Sequence, residues 1–353
     1  MDYKKQLDEL LEHLVAEGGS DLHLCDGRVP MIRVSGFLIP LVNYKPLERE
    51  DTKAYMEHFL RPEDQELFLK DRELDFSYDF RGKARLRGNC YFQQGGIAIA
   101  LRLIPKKIKN LTELNLPQIL ESFCQLQQGF FLVVGPIGHG KSTTLAAMIE
   151  HINQTRTEHI VTIEDPIEYV YEPKLSIINQ REVRVDATGF DSALVATFRQ
   201  DANVILVGEM RDNATMATAV TAAETGHLVF STLHTNNAAQ TIDRIVDSFP
   251  GVQQDQIRVQ LSGSLTGIFS QRLIPRISGG LIPAYELLIN NTAVANMIRE
   301  KRTYELNTTV ETGSSQGMID MNRSLADLVR RGEITAENAY LFSLNPKGLE
   351  KLI

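Results

Sequence analysis

The stretch that decides the reading is Phe130-Phe131-Leu132-Val133-Val134 followed by Gly135-Pro136-Ile137-Gly138-His139-Gly140-Lys141-Ser142. A short, fully apolar run is a buried strand, and the residues from Thr143 onward take up helical spacing, so a glycine-rich loop joins strand to helix. Gly135, Gly138 and Gly140 allow backbone torsions closed to other residues, and successive N–H groups can then converge on phosphate oxygens. Lys141 reaches the β- and γ-phosphates, Ser142 suits Mg²⁺, and the positive end of the following helix faces the anion. The candidate ATP-binding segment is therefore Gly135, Pro136, Ile137, Gly138, His139, Gly140, Lys141, Ser142 and Thr143. His139 is read as contributing its backbone only.

Three more apolar runs follow, each ending in polar residues. Ile160-Val161-Thr162-Ile163 leads into Glu164-Asp165-Pro166, Val204-Ile205-Leu206-Val207 into Gly208-Glu209, and Leu228-Val229-Phe230-Ser231-Thr232 into Leu233-His234-Thr235. Short buried strands separated by helical stretches predict an α/β fold with a parallel sheet covered on both faces. Ligands in such sheets bind beyond the carboxyl ends of the strands, where Glu164, Glu209 and His234 fall. A strand-end carboxylate alone is equally a helix cap or turn former. Beside a phosphate loop, two of them suit metal-assisted hydrolysis, one near Mg²⁺ or its water and one orienting or deprotonating the attacking water. His227 and His234 flank one strand, and two readings stay open for them: structural hydrogen-bonders, or sensors of the γ-phosphate.

Composition bounds the rest. The chain has 353 residues, 43% hydrophobic and 23% charged, with a net charge of −8. That length favours two domains, and the absence of a basic footprint speaks against a nucleic-acid partner. No run approaches the ~18 apolar residues of a membrane span, and the first residues do not open a secretory signal, so a cytoplasmic address is expected. Cys25, Cys90 and Cys124 are three, widely spaced and never in a C-x-x-C pair, so neither a zinc site nor a disulfide framework is indicated. Residues 1–104 are expected to form a smaller α+β domain, 105–110 a lysine-rich linker, and 111–353 the ATPase domain, with a helical carboxy-terminal portion from about residue 291. Helices are expected over 190–200, 212–225, 237–248 and 252–270, a strand over 282–289, and a Thr/Ser/Gly-rich loop over 308–317. In the first domain Arg85, Arg87 and Arg102 lie on strands. They form either a solvated sheet face or a set of arginine fingers.

Taken together, the phosphate loop, the Glu164 segment, the Glu209 segment and Thr225-Gly226-His227 to His234-Thr235 resemble the Walker A, Asp box, Walker B and His box of the secretion-ATPase superfamily. Its members power type II and type IV secretion and type IV pili. Ser20-Asp21-Leu22-His23-Leu24 and Pro30-Met31-Ile32-Arg33-Val34 resemble the amino-terminal domain of its pilus-retraction branch. The resemblance implies a homohexamer of PAS-like and RecA-like domains at the cytoplasmic face of the inner membrane, working on a platform protein of the pilus machine. It also implies Glu164 as catalytic carboxylate, Glu209 as the residue near Mg²⁺ through water, His227 and His234 as His-box residues, and Arg85, Arg87 and Arg102 as fingers. No cysteine follows Cys124, unlike the tetracysteine insertion usual in assembly ATPases. Ala293-Val294-Ala295-Asn296-Met297-Ile298-Arg299-Glu300 resembles the retraction motif, with Ala295 where an arginine is expected, and Ile137 and His139 replace the usual Thr and Ser. The competing readings are a pilus-assembly or type II secretion ATPase, a RecA-like nucleic-acid translocase, and a nucleotide-gated binding module.

Overall fold

A computed structural model of the chain describes residues 2–34, 36–104 and 107–353. Pro105 and Lys106, which open the expected linker, lie outside the described residues. The chain divides into two compact units, Met1–Lys107 with Pro166–Val170, and Ile108–Asp165 with Tyr171–Ile353.

The first unit runs α1 (Tyr3–Ala16), β1 (Asp21–Cys25), β2 (Met31–Val34), β3 (Phe37–Pro40), α2 (Arg49–Phe59), α3 (Pro62–Asp71), β4 (Glu73–Phe80), β5 (Ala84–Gln93) and β6 (Gly96–Ile104). Leu7, Leu10, Leu11 and Leu14 form the buried stripe of α1, and Asp2 caps it by accepting from Lys5 N. The sheet order is β3-β2-β1-β6-β5-β4, every pair antiparallel. Alternation along β5 turns Ala84, Leu86 and Cys90 to the core. Arg85 and Arg87 take the opposite face. Arg102 of β6 pairs directly with Arg87, so the three arginines share that face.

The second unit begins with α4 (Leu120–Cys124) and β7 (Gly129–Val134), followed by α5 (Lys141–Thr155), β8 (His159–Glu164), β9 (Ile177–Glu182), α6 (Phe190–Thr197), β10 (Val204–Val207) and α7 (Asn213–Glu224). It continues through β11 (Leu228–Leu233), α8 (Ala238–Asp247), α9 (Gly251–Ser264), β12 (Leu265–Pro275) and β13 (Leu281–Ile289), and closes with α10 (Thr292–Arg299), α11 (Leu306–Thr312), α12 (Met321–Arg330), α13 (Ala336–Phe342) and α14 (Pro346–Glu350). The seven-stranded sheet has the order β13-β12-β7-β11-β10-β8-β9, with β13 antiparallel to β12 and every other pair parallel. Phe130 to Val134 are all fully buried because both faces of β7 are covered. Each such side chain contributes about 1.5–3 kcal/mol. One core gathers Phe130, Leu132 and Val134 with residues of α7, α8 and α9. On the other face Phe131 meets Phe123 of α4, ring centroids 4.5 Å apart. A smaller core seats α12 and α13 on β12 and β13.

Two sequence expectations are corrected. The helix expected over 252–270 stops at Ser264, and Leu265–Pro275 is a strand that pairs with β7. No proline breaks the run, but the backbone groups along one edge of buried β7 need partners, and that requirement overrides local spacing. The expected loop over 308–317 is instead α11 followed by a 3₁₀ turn, Gly313–Gln316. Leu306 and Val310, buried one helical turn apart, hold α11 in place, and Thr309 and Thr312 return their hydroxyls to the carbonyls of Glu305 and Thr308. Among the described residues no helix is long and apolar enough to cross a membrane.

Candidate active site

The phosphate loop takes its shape from glycines placed where other residues would be strained. Gly135, Gly138 and Gly140 have φ of 145°, 79° and 78°. At Gly135 a Cβ would also stand 2.3 Å from the carbonyl oxygen of Gln271 on the neighbouring strand. Gly140 caps α5, and Lys141 and Ser142 occupy its first positions, so the free N–H groups of the helix start open at the loop. Lys141 is only 7% exposed. Its Nζ donates to the carbonyl oxygens of Gly135 and Pro136, both at 2.9 Å, and to His234 Nδ1 at 3.1 Å.

That last contact fixes the histidine. An ammonium can only donate, so His234 Nδ1 accepts and the ring proton of the neutral form sits on Nε2, 3.9 Å from Glu209 Oε2. Burial lowers the pKa of His234, Lys141 and Arg211 lower it further, and Glu209 opposes them. Glu209 also pairs with Arg211. A cavity of about 480 Å³ opens at this end of the sheet, with Glu209, Arg211, Thr232, His234, Gln240 and Arg244 in its wall.

Glu164 closes β8 and is 8% exposed. Its Oε1 accepts from Thr162 Oγ1 at 2.7 Å and from Gln180 Nε2 at 3.2 Å. Gly208 N bonds the carbonyl of Ile163 at 2.8 Å, which brings Glu164 beside the residue that precedes Glu209. A Cβ on Gly208 would lie 3.5 Å from Glu164 Cα. Lys141, Glu164, Glu209 and His234 thus lie at the carboxyl ends of β7, β8, β10 and β11, four strands that run side by side.

His227 does not join them. It precedes β11, at the amino-terminal end of the strand, and six strand residues separate it from His234, roughly 20 Å of extended chain. Its Nδ1 donates to the carbonyl of Ala222 at 3.0 Å, and its ring meets Phe198 edge-on. Of the two histidines for which both readings were open, only His234 lies at the phosphate-loop end of β11, and the length of the strand separates His227 from it. In the first unit Arg85 Nη2 donates to Ser77 Oγ at 3.2 Å, Arg87 Nη1 to Glu168 Oε1 at 3.1 Å and Arg102 Nε to Asp21 Oδ1 at 2.9 Å.

Sequence reasoning missed the frame that holds the site, because it sits on β12. Gln271 contacts His139 and Thr144, while Ser270 and Arg272 contact Asn236, two residues past His234. Glu286 of β13 accepts from Ala238 N, the first residue of α8, at 2.8 Å, and burial pushes its carboxyl up to about 7. Had the strand been recognised, a polar residue near its carboxyl end would have been the signal, as it was for Glu164 and Glu209.

Residues 80–328 match the family model described as type II/IV secretion system protein. The chain is 44% identical over 333 residues to the type IV pilus retractation ATPase PilT of Pseudomonas aeruginosa, covering 94% of this chain and 96% of that protein. It is likewise 44% identical over 321 residues to the twitching motility protein of Neisseria gonorrhoeae, covering 91% and 86%. Among solved structures, the crystal structure of the pilus retraction motor PilT with bound ADP superposes with a TM-score of 0.90 at 46% identity, covering 98% of each chain. With the phosphate loop, the strand-end carboxylates and His234 inside the matched span, the chain belongs to the type II/IV secretion system protein family.

Proposed function

We propose that this chain is an ATP-hydrolysing motor subunit of a type IV pilus machine and that it drives retraction, working as a homohexamer of PAS-like and RecA-like domains on an inner-membrane platform protein from the cytoplasmic side. The observation that carries the reading is the link from the phosphate loop through Lys141 Nζ to His234 Nδ1, with Glu209 beyond the ring. It gives one rim both an anion cradle and groups that respond to the phosphate. Near-full-length identity to a named retraction ATPase supports the direction of work.

In this reading the loop N–H groups and Lys141 hold the ATP phosphates, and Ser142 contributes its hydroxyl to Mg²⁺. Among the described residues no cluster of three His, Cys, Asp or Glu side chains could hold a metal by itself. The Ser142 hydroxyl, with Glu209 acting through water, would suit Mg²⁺, which commonly takes one or two protein ligands and completes its shell with phosphate oxygens and water. When bound, the ion neutralises charge on the phosphates. Glu164 orients and deprotonates the attacking water, a role its buried, hydrogen-bonded carboxylate at a strand end supports. Glu209 holds water beside the metal, and His234 reports the γ-phosphate to the segment ahead of α8. Arg85, Arg87 and Arg102 serve as fingers toward the nucleotide of a neighbouring subunit, and Arg87 exchanges Glu168 for phosphate when it does so.

Two measurements test the proposal. Purified protein should turn over ATP in a Mg²⁺-dependent steady state, and deletion of the gene in a piliated host should leave surface pili in excess while twitching is lost. Loss of pili on deletion would instead assign the chain to assembly, and absence of turnover would make it a nucleotide-gated binding module.

A further inference from the structure

Strand β12 carries side chains that the phosphate-loop reading leaves unused. Gln271 is 2% exposed, and both ends of its amide are engaged. Oε1 accepts from Thr144 Oγ1 at 2.6 Å, and Nε2 donates to the carbonyl of His139 at 2.8 Å. Two residues on, Leu273 N donates to His139 Nδ1 at 2.9 Å, and the backbone carbonyl of Gln271 fills the space that a side chain at Gly135 would need. The even-numbered residues face the other way: Ser270 Oγ donates to the carbonyl of Asn236 at 2.8 Å and Arg272 Nη2 to Asn236 Oδ1 at 3.1 Å. The two-residue period of a strand therefore lets β12 grip the phosphate loop with one set of side chains and the segment after His234 with the other.

We propose that Gln271 is a positioning residue of the phosphate loop. Its role would be exerted through the loop rather than on the nucleotide. By tying the His139 carbonyl to the Thr144 hydroxyl it fixes the turn across Gly140, where the loop enters α5, so that the N–H groups of Gly138 to Ser142 are held convergent before the anion arrives. The chemistry at the site asks for an amide: the carbonyl needs a donor and the hydroxyl an acceptor, and glutamine offers both in one buried side chain. A carboxylate would keep the acceptor and set a negative charge against the carbonyl, and methionine would keep the volume and lose both bonds. Preorganisation of this kind raises affinity by removing the ordering that binding would otherwise require.

The inference rests on the ATP-binding reading above, and the test separates the two. ATP affinity is measured by titration in Gln271→Met, Thr144→Val and the double variant, with Lys141→Ala as the control and melting temperature recorded for each. Gln271→Met should weaken ATP binding about tenfold, as expected for a hydrogen-bonded tether lost from a binding loop, and raise KM in step while kcat falls less. Thr144→Val should lose less, and the double variant should bind no worse than Gln271→Met because the Thr144 bond is already gone. An ATP affinity within twofold of wild type in Gln271→Met, with Lys141→Ala defective, would overturn the positioning role and leave the ATP reading standing. So would independent, additive losses in the double variant. Failure of the wild-type protein to bind ATP would remove both.

Discussion

Replacing Glu164 by glutamine is expected to lower steady-state ATP turnover about 10²- to 10⁴-fold, the usual weight of a general base, while ATP affinity stays within about threefold. The two effects separate because the residue stands apart from the anion cradle. Glu164 ends β8, and its hydrogen bonds come from Thr162 and Gln180, whereas the loop is held by its own glycines, by Lys141 and by β12. A glutamine has the same volume, and its amide oxygen still accepts from Thr162, so the end of the strand keeps its packing. What it lacks is the basic oxygen that the proposed role requires to take a proton from water. Single-turnover and steady-state rates on the purified variant, with binding measured alongside, check this; turnover within threefold of wild type would remove Glu164 from its role.

Lys141→Ala should be the more complete lesion. The side chain is buried at the first turn of α5 and its ammonium is surrounded by acceptors, the carbonyls of Gly135 and Pro136 and the ring of His234. Charge-assisted bonds to buried partners are worth roughly 1.5–3 kcal/mol each, and removal of the Lys141 ammonium would take such bonds from the phosphates. ATP affinity should fall on the order of a hundredfold or more, and turnover with it. The fold should survive, because α5 is held by Leu145, Met148, Ile149 and Ile152, all buried and untouched by the change. Titration with ATP and a thermal melt together check this; a variant that binds ATP as well as wild type would show that the anion cradle does not depend on Lys141.

How much of this was legible in the sequence follows from which forces were local. The phosphate loop, the apolar run before it and the strand ends bearing Glu164, Glu209 and His234 could be read because each strand is buried on both faces and therefore apolar along its length. Helix starts were legible where a side chain caps them, as Asp212 does for α7 by accepting from Thr215 N. Strand β12 was not, because Leu265, Ile268 and Phe269 suit a helix stripe as well as a strand, and only the unpaired edge of β7 chooses between them. β9 was missed for a related reason: Ile177-Ile178-Asn179-Gln180 lies at the sheet edge, where half-exposed polar residues break the apolar signature. Gln271 and Arg272 were invisible as site residues because their partners lie 127 and 36 positions away. The separation of His227 from His234 was available in principle, since the run between them is a strand and a strand has length.

In the proposed reading one rim, at the carboxyl ends of β7, β8, β10 and β11, holds the triphosphate. A crystal structure of the protein with Mg²⁺ and a non-hydrolysable ATP analogue decides this. The β- and γ-phosphates should lie within hydrogen-bond distance of Lys141 Nζ and the N–H groups of Gly138 to Ser142, with Glu209 and His234 facing the γ-phosphate. A nucleotide seated elsewhere, or a Lys141 still bound to the Gly135 and Pro136 carbonyls with the phosphates out of its reach, would contradict it.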